Sequence, residues 1–283
     1  MKFEMIGKGS NGTKVYLVKN LLNNKEYAMK KVILSNSISN SEVQILKSLP
    51  PHPHILQHIE SFSYKSNKFC LVTEFFKNGD LSSYISHHQS RHIPINEKLI
   101  LKWIYQLTQA ISFLHLNGII HNDIKPANIF ITDNYDVILG DFGIAIDVKK
   151  ETPNLTTPLG TPLYLPPERC EGKECNFNSD MWMLGCVIYE LVTLTQPFSG
   201  NNFPEIMRNI LFKDYPKINN KIYSEKLLKI IDLLLNKNSE ERPSPNDLIE
   251  ILFKKKNCNF RLSSKIKKQL VFEFEDNQFH YCL

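Results

Sequence analysis

His121-Asn122-Asp123-Ile124-Lys125-Pro126-Ala127-Asn128 is the stretch on which the reading turns. The spacing from Asp123 to Asn128 is that of a loop presenting one carboxylate to a hydroxyl and one amide oxygen to a metal. Further along, Asp141-Phe142-Gly143 follows a short strand pair expected at 128–131 and 137–139 and offers a second carboxylate for a divalent cation. For both to act on one ligand, the two loops must converge.

Upstream of that stretch, Leu99, Ile100, Trp103, Ile104, Leu107, Ile111 and Leu114 recur three and four apart and Gly118 supplies a stop, which predicts a core-facing helix. Downstream, a helix capped by Ser179 or Asp180 is apolar nearly all round through Leu191, which predicts burial on every side. Leu227, Leu228, Ile231, Leu234 and Leu235 mark another helix, and Pro243 and Pro245 open a last one ending near Phe253. The first eighty residues read differently. Lys14–Val18, Tyr27–Val32 and Phe69–Thr73 are short β-branched or aromatic runs between Asn, Gly and Lys turns, interrupted by a single helix from Ser41 to Leu49. The expected class is α+β and bilobed: a small β-rich lobe over about 1–76, a hinge near Glu74 to Gly79, a larger α lobe over about 77–253, and a tail at 254–283.

Gly7, Gly9 and Gly12 form a GxGxxG pattern between strand-like segments. Phosphoryl oxygens need backbone N–H groups close by, and residues without a Cβ permit that approach, yet the same pattern is also found in an ordinary turn. A dinucleotide fold would place a helix directly after the last glycine, and a Walker A loop would need Gly-Lys-Ser/Thr; neither is here. Lys30 shares a strand face with Ala28, and Glu42 lies on the inward stripe of its helix with Ile45, Leu46 and Leu49. A carboxylate there needs a cation, and Lys30 is the candidate.

Composition limits the alternatives. At 42% hydrophobic and 22% charged, the 283 residues can bury a core and are not disordered as a whole. The net charge of +5 is concentrated late, at Lys254-Lys255-Lys256, Arg261, Lys265, Lys267 and Lys268, a pattern read either as a solvated tail or as a docking or nuclear-localisation patch. No nucleic-acid-binding face is expected. Cysteines 70, 170, 175, 186, 258 and 282 show no CxxC pair and read as free thiols, so a cytoplasmic or nuclear setting is expected. With no apolar leader at Met1 and no spanning run, no membrane contact is expected.

Glycine loop, strand lysine, His-x-Asp-x-x-x-x-Asn, Asp-Phe-Gly and a Pro-Pro-Glu at 166–168 occur in the order of the eukaryotic protein kinase signature, which the chain resembles over about 3–253. Asn128-Ile129-Phe130-Ile131, Gly160-Thr161-Pro162-Leu163-Tyr164, Pro197-Phe198 and Arg242-Pro243-Ser244 look most like the NIMA-related serine/threonine kinases. The resemblance implies ATP and Mg²⁺ as cofactors and protein substrates as partners. Ile6, Gly7, Gly9, Gly12, Val15 and Ala28 would lie above the nucleotide and Phe130 below it, with the backbone of Glu74 to Phe76 at the adenine edge and Thr73 as gatekeeper. Lys30 would hold the α/β-phosphates, Glu42 would orient Lys30, Asn128 and Asp141 would ligate Mg²⁺, Asp123 would accept the substrate proton, and Lys125 would steady the γ-phosphate. Glu168 would pair with Arg242 as a structural bridge.

The departures carry expectations too. Asn122 stands where the family has an arginine that pairs with a phosphorylated activation-segment residue, here best matched by Thr157. An uncharged amide cannot form that bidentate pair, so weak dependence on such phosphorylation is expected, and a pseudokinase is the alternative reading. The short connection from Lys30 to Glu42 implies an abbreviated regulatory helix. Ala127 in place of a glutamate argues against a strong basic-substrate preference, and Ile144 favours threonine over serine as acceptor.

Overall fold

The computed structural model describes residues 4–8, 13–33, 41–63, 68–150, 160–219 and 221–253. Expectations for Gly9, Gly12, Thr157, the connection 34–40 and the tail 254–283 lie outside them.

The N-terminal part is a five-stranded antiparallel sheet of order β1-β2-β3-β5-β4, formed by β1 (Glu4–Lys8), β2 (Lys14–Lys19), β3 (Glu26–Ile33), β4 (His58–Ser63) and β5 (Lys68–Glu74). Because strand side chains alternate, register assigns each residue to a face. Val15 opposes Lys30, Leu17 opposes Ala28, and Ala28 opposes Thr73, so Val15, Ala28, Lys30 and Thr73 share one side. The other side packs Met29, Cys70 and Val72 with Tyr16, Val18 and Tyr27 as a small separate core. A register shift between Met5 and Gly7 leaves Ile6 at a bulge in β1, 42% exposed. Helix α1 (Ser41–Ser48) buries Glu42, Val43, Ile45 and Leu46. The edge strand β4 escapes a sequence reading because its run His-Ile-Glu-Ser-Phe-Ser is half polar and largely exposed.

The C-terminal part contains α2 (Leu81–Arg91), α3 (Glu97–Leu116), α4 (Pro167–Cys170), α5 (Phe177–Thr193), α6 (Phe203–Phe212), α7 (Glu225–Leu234) and α8 (Pro245–Phe253). Two-stranded ladders pair β6 (Ile119–Ile120) with β9 (Ile146–Asp147) and β7 (Ile129–Ile131) with β8 (Val137–Leu139). Ile100, Trp103, Ile104, Leu107, Ile111 and Leu114 of α3 are fully buried, whereas Leu99 is only partly covered. Helix α5 is buried continuously from Ser179 to Val192. It approaches α7 so closely that a Cβ on Gly185 would sit 2.8 Å from the Leu234 Cβ.

The N-terminus of α5 differs from expectation. Neither Ser179 nor Asp180 is its cap: Asn176 holds that position, its side chain accepting from the Ser179 backbone N–H at 3.2 Å while the Ser179 hydroxyl accepts from the Asn176 N–H at 3.1 Å. Asp180 is thereby freed for another use. The strand expected from Asn128 begins one residue later, at Ile129, because Pro126–Asn128 form a 3₁₀ turn. Helices α2 and α6 were not expected as separate elements.

Glu168 and Arg242 form the expected bridge: the guanidinium donates to both carboxylate oxygens at 2.8 and 2.9 Å, and Ser179 Oγ adds a third donor at 2.8 Å. Burial would raise the Glu168 pKa, but the hydrogen bonds and charge of Arg242 hold it below the usual carboxylate range. The bridge ties α4 to the segment before α8. Arg242→Met should cost about 3–5 kcal/mol in urea unfolding, since it strands a buried carboxylate, and adding Glu168→Leu should recover most of the loss.

Candidate active site

Asp123 lies at the centre of a polar cluster on the catalytic loop. Its Oδ2 accepts from Lys125 Nζ at 2.6 Å and Asn128 Nδ2 at 2.9 Å, and its Oδ1 accepts from Thr161 Oγ1 at 2.9 Å. Lys125 also donates to Thr161 Oγ1 at 2.6 Å, so lysine, threonine and aspartate close a ring. Thr161 follows Gly160, whose φ of +76° suits glycine and whose added Cβ would meet the Asn122 carbonyl oxygen at 2.9 Å. Three donors thus fix one carboxylate whose orientation a free side chain would have to search for.

The opposing wall comes from the sheet. Lys30 Nζ donates to both oxygens of Glu42 at 2.9 and 2.8 Å and to Asp141 Oδ1 at 2.8 Å. Burial alone would lower the Lys30 pKa, but Glu42 and Asp141 more than reverse this and hold it above the ordinary lysine value. Glu42 is pushed upward by desolvation against the pull of Lys30, and Asp141, which burial would raise, is held down by the same ammonium. One cation therefore links β3, α1 and the Asp-Phe-Gly turn.

Asn128 and Asp141 are brought together by the backbone, where the Gly140 N–H donates to the Asn128 carbonyl at 2.9 Å. Asn128 Nδ2 spends its hydrogens on the Asp123 carbonyl and carboxylate, leaving Oδ1 as an acceptor that receives no donor among the described residues. Asp141 is 43% exposed at its side chain. One amide oxygen and one partly open carboxylate fit a hard divalent cation that completes its oxygen shell with phosphates and water. On the sheet, Val15, Ala28 and Thr73 share the face that carries Lys30. Phe130 stacks on Phe76 with centroids 5.5 Å apart, and Phe76 lies just past the end of β5 at Glu74. Gly7 borders this face, since a Cβ added there would lie 3.7 Å from the Val15 Cβ, while Ile6 is exposed.

What holds the loop in place was missed by sequence reasoning. Asp180, fully buried on α5, accepts the backbone N–H groups of His121 and Asn122 and the Nε2–H of His115, each at 2.9 Å. The only sequence signal was a lone carboxylate in an apolar helix. His121 is also enclosed. Its Nε2 donates to the Gly140 carbonyl at 3.0 Å, its Nδ1 accepts from the Asp123 N–H at 3.3 Å, and its ring packs on the buried Phe142, 5.0 Å between centroids. These roles require the neutral ring.

Burial lowers the His121 pKa below the ordinary imidazole value. The unfolded chain therefore takes up the proton first as pH falls, so this contribution to stability is complete above about pH 6.5 and is lost below it. Thermal melts between about pH 7.5 and about pH 5.5 should show the protein weakening, with a shallower slope in His121→Phe. His52, His54 and His58, also lowered by burial, add to the slope in the same direction. An unchanged slope in the variant would exclude His121 as a source.

Residues 1–253 match the protein kinase domain family. The mouse serine/threonine-protein kinase Nek1 is 34% identical over 279 residues, which cover 96% of this chain and 22% of that protein. Human serine/threonine-protein kinase Nek5 is 34% identical over 285 residues, covering 98% and 38% respectively. The probable serine/threonine-protein kinase nek2 of Dictyostelium discoideum is 33% identical over 258 residues, covering 88% and 61%. The chain thus spans less than two thirds of the length of each of these three relatives. Their names agree with the NIMA-related character read from residues 128–131 and 160–164. With a lysine joined to two carboxylates on one wall and a braced Asp-Lys-Thr ring on the other, the chain belongs to the protein kinase domain family.

Proposed function

We propose that this chain transfers the γ-phosphoryl group of ATP to serine or threonine hydroxyls of protein substrates. The observation that carries this reading is the Asp123 carboxylate fixed by Lys125, Thr161 and Asn128, on a loop whose Asn128 carbonyl is bonded by the residue before Asp141 of the Lys30–Glu42–Asp141 cluster. The transition state of phosphoryl transfer is loose, so catalysis rests on positioning and on neutralising spread charge. Asp123 orients the acceptor hydroxyl and takes its proton. Lys125 sits within reach of the same oxygens and steadies the γ-phosphate, while Lys30, oriented by Glu42, holds the α/β-phosphates. Asn128 Oδ1 and Asp141 would hold Mg²⁺, which supplies charge neutralisation on the phosphate oxygens when bound. Val15, Ala28, Phe130 and the strand end at Glu74 to Phe76 receive the adenine, and Thr73 limits the depth of that slot.

Thr161 in the ring favours an aliphatic hydroxyl as acceptor, and the exposed Ala127 offers no carboxylate to a basic substrate residue. The four described cysteines are free and buried, which supports a reducing cytoplasmic or nuclear setting.

A radiolabelled ATP assay on generic protein substrates tests the proposal. Asp123→Asn and Lys30→Met should each lower transfer by about a hundredfold or more, since both groups act on the transferring centre. Transfer that survives Asp123→Asn would refute the assigned base, and none by the unaltered chain would favour the pseudokinase reading. With no arginine at position 122, Thr157→Ala should cost less than about tenfold in a peptide assay, and a larger loss would show that a phosphate there is read by other groups.

A further inference from the structure

Position 122 has a side chain with work of its own. Asn122 is 1% exposed and has a φ of 64°, a left-handed conformation that asparagine adopts more readily than most residues. Its Oδ1 accepts from the Cys175 thiol at 2.8 Å, and its Nδ2 donates to the Ile144 carbonyl at a longer 3.4 Å. Its backbone N–H is the one gripped by Asp180. The amide therefore meets three segments: the catalytic loop, the residue directly after Asp-Phe-Gly, and the residue before the cap of α5. Cys175 is buried against Ile120 and Ile146, partners in the β6–β9 ladder, so its position is set by that ladder. Burial pushes the thiol pKa up to about 12, which keeps the S–H donor present at any working pH.

We propose that Asn122 and Cys175 form a positioning pair that ties the catalytic loop to the Asp-Phe-Gly turn through neutral hydrogen bonds, holding Asp123 and Asp141 in mutual register without a phosphate. The inference rests on the kinase reading and names the residues that make phosphorylation dispensable in it. An arginine–phosphate contact needs a charged group from outside the loop. Among the described residues this amide is oriented by neutral groups: the thiol donates to its oxygen and its nitrogen donates to the Ile144 carbonyl. A buried partner left without its hydrogen bond bears the full desolvation cost, so removing the donor should loosen both tied segments.

Two readouts on the full chain test the pair, kcat against KM in the peptide assay and hydrogen–deuterium exchange over residues 119–124 and 141–147. Cys175→Ser keeps a donor and should stay within about twofold of the parent kcat, whereas Cys175→Val, of similar shape without a donor, should lower kcat at least about fivefold with KM for ATP unchanged. Exchange should quicken in both segments for the valine variant and not for serine. Asn122→Ala removes the amide from the other side and should give the same two changes, so the inference remains testable if the valine variant fails to fold. Parental kcat and parental exchange in Cys175→Val would reduce the pair to packing and overturn the proposal. A parent that transfers no phosphate would sink the kinase reading instead, and the exchange data would still decide whether the tie exists.

Discussion

The carboxylate of Asp180 is the constraint on which the site depends. It lies inside α5, buried continuously from Ser179 to Val192, and receives two consecutive backbone N–H groups of the 121–128 loop together with a histidine ring. Buried amide hydrogens must find acceptors, and a loop cannot supply them to itself as a helix or ladder can. By answering for His121 and Asn122 from α5, Asp180 lets the chain take a left-handed turn at Asn122 and carry Asp123 to its partners Lys125, Thr161 and Asn128. Helix α5 therefore acts as foundation as well as core, and its cap at Asn176 and the Glu168–Arg242 bridge beside it secure the same foundation.

From that base the site is built by sharing. Asp123 accepts from Thr161 and Asn128, Asn128 in turn accepts the Gly140 N–H on its backbone carbonyl, and Asp141 shares the ammonium of Lys30 with Glu42. Each group is held by a neighbour that also has a use, so displacement of one is felt by the rest. Such networks are cooperative in a low-dielectric setting and costly when left incomplete. The Lys30 contact also spans the two halves of the molecule, joining the five-stranded sheet to the turn that follows β8. A second tie lies behind the hinge, where His54 and Leu56 exchange backbone hydrogen bonds with Leu139 at 2.9 Å.

Spacing made much of this legible in advance. The period of α3 announced a buried face, and the inward stripe of α1 showed that Glu42 needed a cation, which Lys30 supplies at 2.8 Å. Elements with little buried surface were not legible: β4 lacks the alternation of a half-buried strand, α2 buries only Leu81 and Ile85, and α6 only Asn209 and Ile210. Asp180 was read as a cap because an acidic residue at the start of an apolar run has a local explanation, and the competing long-range one leaves no mark in the neighbouring residues.

The sequence by itself determined the α+β class, the order of the chemical groups and the pairing of Lys30 with Glu42, because periodicity and residue type act over a few residues and survive without coordinates. Only the tertiary structure decided which acceptor holds the 121–128 loop, that Asn128 Oδ1 receives no donor among the described residues, and that Asn122 bonds to Cys175 and Ile144. These depend on hydrogen bonds between residues 5 to 59 positions apart, and a directional contact of that kind is fixed by where the fold carries its two ends.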